Sequence, residues 1–94
     1  MHPQPNDVKA NILLVDDSPA NLLALRAMLE ELGQNLVDAH SGEEALQRVQ
    51  AEEFALILLD VLMPGMGGFG TARRIRDISR ARPTPIIFLT AYDI

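Results

Sequence analysis

The sequence predicts an α/β fold, a parallel β-sheet with helices on both faces. Three observations carry that prediction. The segments Ile12-Leu13-Leu14-Val15, Leu56-Ile57-Leu58-Leu59 and Ile86-Ile87-Phe88-Leu89 are continuously apolar, as strands buried on both faces are. Stretches with helical spacing separate the strand segments, giving the order β-α-β-α-β-α-β. Each of the three apolar segments runs out into a polar residue, respectively Asp16, Asp60 and Thr90.

The elements follow in order. Ser18 is placed to cap the first helix, with Pro19 at its first position. Leu22, Leu25, Leu29 and Leu32 form its inner stripe, and Gly33 is placed to end it. Leu36-Val37-Asp38-Ala39 is short and partly polar, the composition of an edge strand. Ser41 and Glu44 form a capping-box pattern, and Ala45, Leu46 and Val49 give the second helix its apolar side. A glycine-rich stretch over 63–70 leads into a third helix with Phe69, Ala72, Ile75 and Ile78 as its expected inner face. Pro83 and Pro85 bracket the loop before the last strand.

A chain of 94 residues points to one domain. Residues 1–9 read as a disordered lead-in and 10–94 as the folded unit. There is no cysteine, which rules out disulfides and thiolate metal sites and suits a reducing, cytoplasmic setting. The net charge of −5 argues against non-specific nucleic-acid binding, so no direct nucleic-acid contact is expected. The longest apolar run, 54–59, is far too short to span a bilayer, and the N-terminal stretch lacks the apolar region of a signal peptide.

In an open parallel sheet, ligands bind outside the carboxyl ends of the strands, where the strand order reverses. Asp16 and Asp17 stand at the end of the first strand, Asp60 at the end of the third and Thr90 at the end of the fourth. If the first and third strands are neighbours, three carboxylates meet at one edge. Such groups repel one another, and a hard divalent cation relieves the repulsion. Mg²⁺ accepts one or two carboxylates and keeps several waters, leaving room for a phosphate oxygen. A strand-end carboxylate can also attack phosphorus, with positioning and charge neutralisation as the main demands on the protein. Asp60 suits the nucleophile's role, Thr90 can donate its hydroxyl to a phosphoryl oxygen, and the backbone N–H groups of Leu62 and Ala91 can donate as well.

Each feature alone has a plainer reading. An Asp-Asp pair at a strand end commonly serves as a turn and helix cap, and Met-Pro-Gly is commonly only a turn. The Leu and Ile stripes are core. His2 and His40 belong to no partner motif and read as surface residues, and Arg73, Arg74, Arg76, Arg80 and Arg82 read as a solvated helix face. The weight lies in the joint occurrence of the acidic pair, Asp60 and Thr90, each at a strand's carboxyl end.

Three motifs in register, Ile12-Leu13-Leu14-Val15-Asp16-Asp17, Asp60-Val61-Leu62-Met63-Pro64-Gly65-Met66 and Leu89-Thr90-Ala91, resemble the receiver domains of response regulators in two-component signalling. The resemblance implies a flavodoxin-like fold and a phosphorylation-controlled switch rather than an enzyme. By position, Asp60 matches the phosphoacceptor. Asp16 and Asp17 match the acidic pair that holds Mg²⁺, and Leu62 matches the residue whose backbone carbonyl completes the metal site. Thr90 matches the switch hydroxyl. The implied phosphoryl donor is a phosphohistidine on a sensor histidine kinase or a histidine phosphotransfer protein.

The departures from that family shape the remaining expectations. Receivers usually carry a fifth strand with a Lys, flanked by helices, and this sequence stops at Ile94. The reading is therefore a receiver that is incomplete at its C-terminus, missing the last strand and flanking helices. Relatives often have Asp where Gly67 stands and a polar residue where Leu62 stands. The alternative function is a truncated or degenerate receiver that works as a protein-binding module without an effective phosphorylation cycle. A carboxylate-nucleophile phosphatase is a third class, disfavoured because Leu62 stands where such enzymes carry a second acid. The strand 86–89 is composed like an interior strand although no later strand follows it, and the expectation is either a homo-oligomer that covers this edge and the sheet face short of a helix, or a marginally folded chain.

Overall fold

The computed structural model describes residues 9–78 and 81–90. Four parallel strands, β1 (Asn11–Val15), β2 (Asn35–Ala39), β3 (Leu56–Asp60) and β4 (Ile86–Leu89), alternate with three helices, α1 (Pro19–Leu29), α2 (Gly42–Ala51) and α3 (Gly67–Arg76). The sheet order is β2-β1-β3-β4. β1 and β3 are neighbours, paired from Ile12 with Leu56 to Val15 with Leu59. The chain order reverses direction across the sheet between these two strands, which is the crevice position for a ligand.

Their central place explains why β1 and β3 are apolar on both faces. Leu13, Val15, Ile57 and Leu59 pack with Ala45 and Val49 of α2 and with Ala72 and Ile75 of α3. Ile12, Leu14 and Leu58, on the opposite face, pack with Leu22 of α1, and the half-buried Leu25 and Leu29 extend that layer. Each fully buried aliphatic side chain of this kind contributes about 1.5–3 kcal/mol.

Local chemistry sets the helix starts. The Ser18 hydroxyl accepts the N–H of Asn21 at 3.2 Å, with Pro19 beginning the helix as its sequence position suggests. At the other end the chain tightens into a 3-10 turn over Glu30–Leu32 and stops at Gly33, whose φ of 71° is left-handed. The change of pitch carries Leu32 off the apolar stripe and leaves it exposed. Arg26 ties α1 to the edge strand, donating to the Leu36 carbonyl at 2.8 Å and to the Asp38 carboxylate at 3.3 Å.

At α2 the expected capping box is only half formed. Ser41 accepts the Glu44 N–H at 3.0 Å, but the Glu44 carboxylate reaches past Ser41 to accept the N–H of His40 at 2.7 Å. The His40 ring Nδ1 lies 3.0 Å from the same oxygen. His40 is a surface residue, as expected, and its backbone and ring both meet the Glu44 carboxylate. The His40 N–H is the main cause holding the Glu44 carboxyl below its ordinary range.

Two readings of α3 need correction. Phe69 was expected on the inner face and is 62 % exposed, its ring lying against that of Phe88. The buried Thr71 takes the inner position instead, donating to the Gly67 carbonyl at 2.6 Å. Arg76 is not simply part of a solvated face. Its Nη1 donates to the carbonyls of Ala81 at 3.3 Å, Arg82 at 3.0 Å and Thr84 at 2.6 Å. Thr84 in turn donates to the Phe54 carbonyl at 3.2 Å, so this loop is tied down where it delivers β4 alongside β3. Arg80 lies outside the described residues, as do residues 1–8 of the expected lead-in. Among the described residues β4 forms one edge of the sheet, with Ile87 49 % and Phe88 38 % exposed.

Candidate metal centre

The carboxyl ends of β1 and β3 bring Asp16, Asp17 and Asp60 together. Each offers a carboxylate oxygen lying within 4.8 Å of those from the other two. Asp16 and Asp60 are buried and Asp17 is exposed, so the cluster opens to solvent on one side. The order β2-β1-β3-β4 makes this meeting unavoidable, because adjacent parallel strands of matched length end side by side.

Asp60 completes β3 and is held in place by the loop that follows. Its Oδ1 accepts the N–H of Leu62 at 3.3 Å. The Val61 N–H continues the ladder to the Leu89 carbonyl at 3.0 Å, and the Gly68 N–H turns back to the Val61 carbonyl at 3.1 Å. Gly68 lies so close to the Asp60 carbonyl that a Cβ there would collide with backbone. Gly65 and Gly67 both have left-handed φ, 76° and 73°. Gly67 is the first residue of α3 and has a conformation that glycine adopts without strain. The cap is Met66, which makes no side-chain capping bond.

Burial pushes the Asp60 carboxyl above its ordinary range. The charge of Asp16 adds to this effect and that of Asp17 adds less, while the N–H groups of Leu62 and Val61 pull the other way. A cation between the carboxylates would remove the repulsion. The donors are all hard oxygens and too few to enclose an ion, which fits Mg²⁺ with water completing its shell.

A cleft of about 280 Å³ opens beside the cluster, lined by Asp16, Asn21, Leu25, Met28, Asp60 and Thr90 among others. Thr90 is thereby on the same cleft as Asp60, as its place after β4 implied. Leu62 is 69 % exposed, with its side chain turned away from the core. Ala91 lies outside the described residues. Asn21 was not anticipated from the sequence. Its position in the first turn after the Ser18-Pro19 start, five residues beyond Asp16, is the signal that could have found it.

Residues 12–94 match the family model described as the response regulator receiver domain. The chain belongs to that family. Its receiver segment is similar to part of the sensor histidine kinase GacS of Pseudomonas protegens, 42 % identical over 84 residues. That alignment covers 86 % of this chain and 9 % of the kinase, so the chain spans less than a tenth of that relative. Among solved structures, the chemotaxis protein CheY4 of Vibrio cholerae is 34 % identical with a TM-score of 0.85, over 93 % of this chain and 72 % of that one. The receiver domain of the sensor histidine kinase PA1611 of Pseudomonas aeruginosa, solved with a magnesium ion coordinated in its active-site cleft, is 34 % identical with a TM-score of 0.84, over 89 % of this chain and 69 % of that one. The receiver assignment agrees with the resemblance read from the three motifs, and the parallel sheet with helices on both faces is the fold expected. Receivers act as signalling switches rather than as enzymes in the ordinary sense. No helix among the described residues is long and apolar enough to cross a membrane.

Proposed function

We propose that residues 10–94 form a receiver unit that accepts a phosphoryl group on Asp60 from a phosphohistidine of a sensor histidine kinase or phosphotransfer protein. The observation that carries this reading is the convergence of Asp16, Asp17 and Asp60 at the carboxyl ends of β1 and β3, with the Asp60 carboxyl pushed up chiefly by its burial and next by the Asp16 charge. Similarity to segments of sensor histidine kinases supports the choice of partner. A cytoplasmic place of work, the reducing setting that a chain without cysteine suits, is part of this reading.

Asp16, Asp17, Asp60 and the backbone carbonyl of Leu62 are the groups that would hold Mg²⁺. When bound, the ion would neutralise charge on the carboxylates and the incoming phosphoryl group. An Asp60 oxygen adds to phosphorus while the bond from phosphorus to the donor imidazole opens. The imidazole leaves neutral, keeping the proton on its other nitrogen. The Leu62 N–H, already on Asp60 Oδ1, holds one carboxylate oxygen in place while the other reacts. Thr90, on the shared cleft, supplies a hydroxyl to a phosphoryl oxygen, and the Ala91 N–H is a second donor.

Incubation with Mg²⁺ and acetyl phosphate, followed by intact mass and peptide mapping, tests this reading. One added phosphoryl group on Asp60, abolished by Asp60→Asn, is expected. Modification mapped to another residue, or retained in Asp60→Asn, overturns it.

A further inference from the structure

Asp16 is held unusually fully for a side chain at a solvent-facing crevice. It is 4 % exposed, and each of its carboxylate oxygens has its own donor. Oδ1 accepts the Ser18 N–H at 2.9 Å, and Oδ2 accepts the Asn21 side-chain amide at 3.2 Å. Asn21 is itself anchored, since its backbone N–H donates to the Ser18 hydroxyl that caps α1. One turn of chain thus grips both oxygens of Asp16, and rotation of the carboxylate would break at least one of these bonds.

We infer that Asn21 is a positioning residue for the metal-binding carboxylate of Asp16. The inference rests on the metal reading of the aspartate cluster proposed above. The side-chain chemistry suits the role. The amide is neutral, so it donates to Asp16 without bringing a positive charge that would compete with a cation. Each carboxylate oxygen has two acceptor sites, so one bond to each leaves further capacity for a metal. Fixing a ligand through a hydrogen bond from outside the metal's own ligand set commonly changes metal affinity by about 10–100-fold. Here one such bond to Asp16 is backbone and survives mutation, so the lower end, about 10-fold, is expected from losing the other.

The test is direct Mg²⁺ titration of the whole 94-residue chain, followed by amide NMR shifts, for the unchanged protein, Asn21→Ala, Asp16→Asn and the double variant. Phosphorylation by acetyl phosphate across a Mg²⁺ series is measured beside it. Asn21→Ala should weaken Mg²⁺ binding about 10-fold and raise the Mg²⁺ concentration for half-maximal phosphorylation by the same factor, with excess Mg²⁺ restoring the rate. In the Asp16→Asn background, Asn21→Ala should have no further effect on Mg²⁺ affinity, because the two side chains act as one unit. A merely structural role would lower thermal stability without this coupling. Asn21→Ala binding Mg²⁺ like the unchanged chain, an equal loss in the Asp16→Asn background, or a rate deficit that excess Mg²⁺ does not lift each overturns the inference. Asp16→Asn binding Mg²⁺ like the unchanged chain overturns the metal reading itself, an outcome distinct from failure at Asn21 alone. If Asn21→Ala lacks the amide dispersion of a folded chain, Asn21→Ser carries the same comparison.

Discussion

The ring of Phe69, in the first turn of α3, lies 4.8 Å from the ring of Phe88 in β4, tilted by 51°. The pair spans the surface between the helix and the edge strand, and both rings keep substantial exposure. Tilted aromatic pairs add about 0.5–1.5 kcal/mol beyond the area they bury. A double-mutant cycle of Phe69→Ala and Phe88→Ala in urea unfolding should therefore show a coupling of about 0.5–1.5 kcal/mol. Additive effects would mean that the contact contributes nothing on its own.

Gly68 is expected to be intolerant. A Cβ at this position meets the Asp60 carbonyl and the Val61 backbone, which cannot swing aside as a long side chain can. Forcing extra atoms into such contact costs typically 1–3 kcal/mol, and about that loss is expected for Gly68→Ala. The displaced backbone carries Asp60 and the Leu62 N–H with it, so acetyl phosphate labelling should fall together with stability. Labelling at the unchanged rate in Gly68→Ala would show that the α3 start does not set the geometry of Asp60.

Asp60 should make the protein without metal less stable near neutral pH. Its carboxyl is raised on folding, chiefly by burial and next by the Asp16 charge. A raised group contributes stability that is present below its unfolded pKa and lost as pH rises through its folded value. Asp60→Asn removes that loss, so the variant should unfold at higher urea concentration than the parent at pH 7 without Mg²⁺. The difference should fade as pH falls below the ordinary Asp value. Mg²⁺ at about 100 times its Kd adds about 2.7 kcal/mol to a chain that binds it only when folded. That gain should be much smaller in Asp60→Asn. A variant less stable than its parent at pH 7 would contradict the sign of the argument.

What the sequence revealed and what it hid divide along physical lines. β1 and β3 were legible because burial on both faces leaves no polar position in the run, and the caps at Ser18 and Ser41 because they act over three residues. The aspartate cluster was legible because parallel neighbours must end together. Phe69 was misread because helical spacing names a stripe but not its width, and Thr71 filled the inner place by bonding its own helix. The ties from Arg76 to the loop carbonyls, from Glu44 to His40 and from Asn21 to Asp16 depend on where a side chain's end falls, which periodicity does not encode.

The edge at β4 carries the last expectation. Ile86 and Phe88 share one face of the strand, Ile87 and Leu89 the other. Ile86 packs against the core on the side of α2 and α3 and Leu89 against the α1 layer, while Ile87 is about half exposed. The opposite edge, β2, bears Asn35 and Asp38, the latter bonded to Arg26, and is protected by that polarity. Among the described residues nothing protects β4 in this way, and an apolar strand edge that is left unpaired is a template for another strand. The 94-residue chain should self-associate through β4 as its concentration rises, which sedimentation velocity would reveal as a shift to faster species. Ile87→Lys places a charge on that edge and should hold the chain monomeric, whereas Leu23→Lys, on an exposed position of α1, should leave association as it was. A parent chain that stays monomeric at high concentration, or association that survives Ile87→Lys, would exclude the β4 edge as the contact.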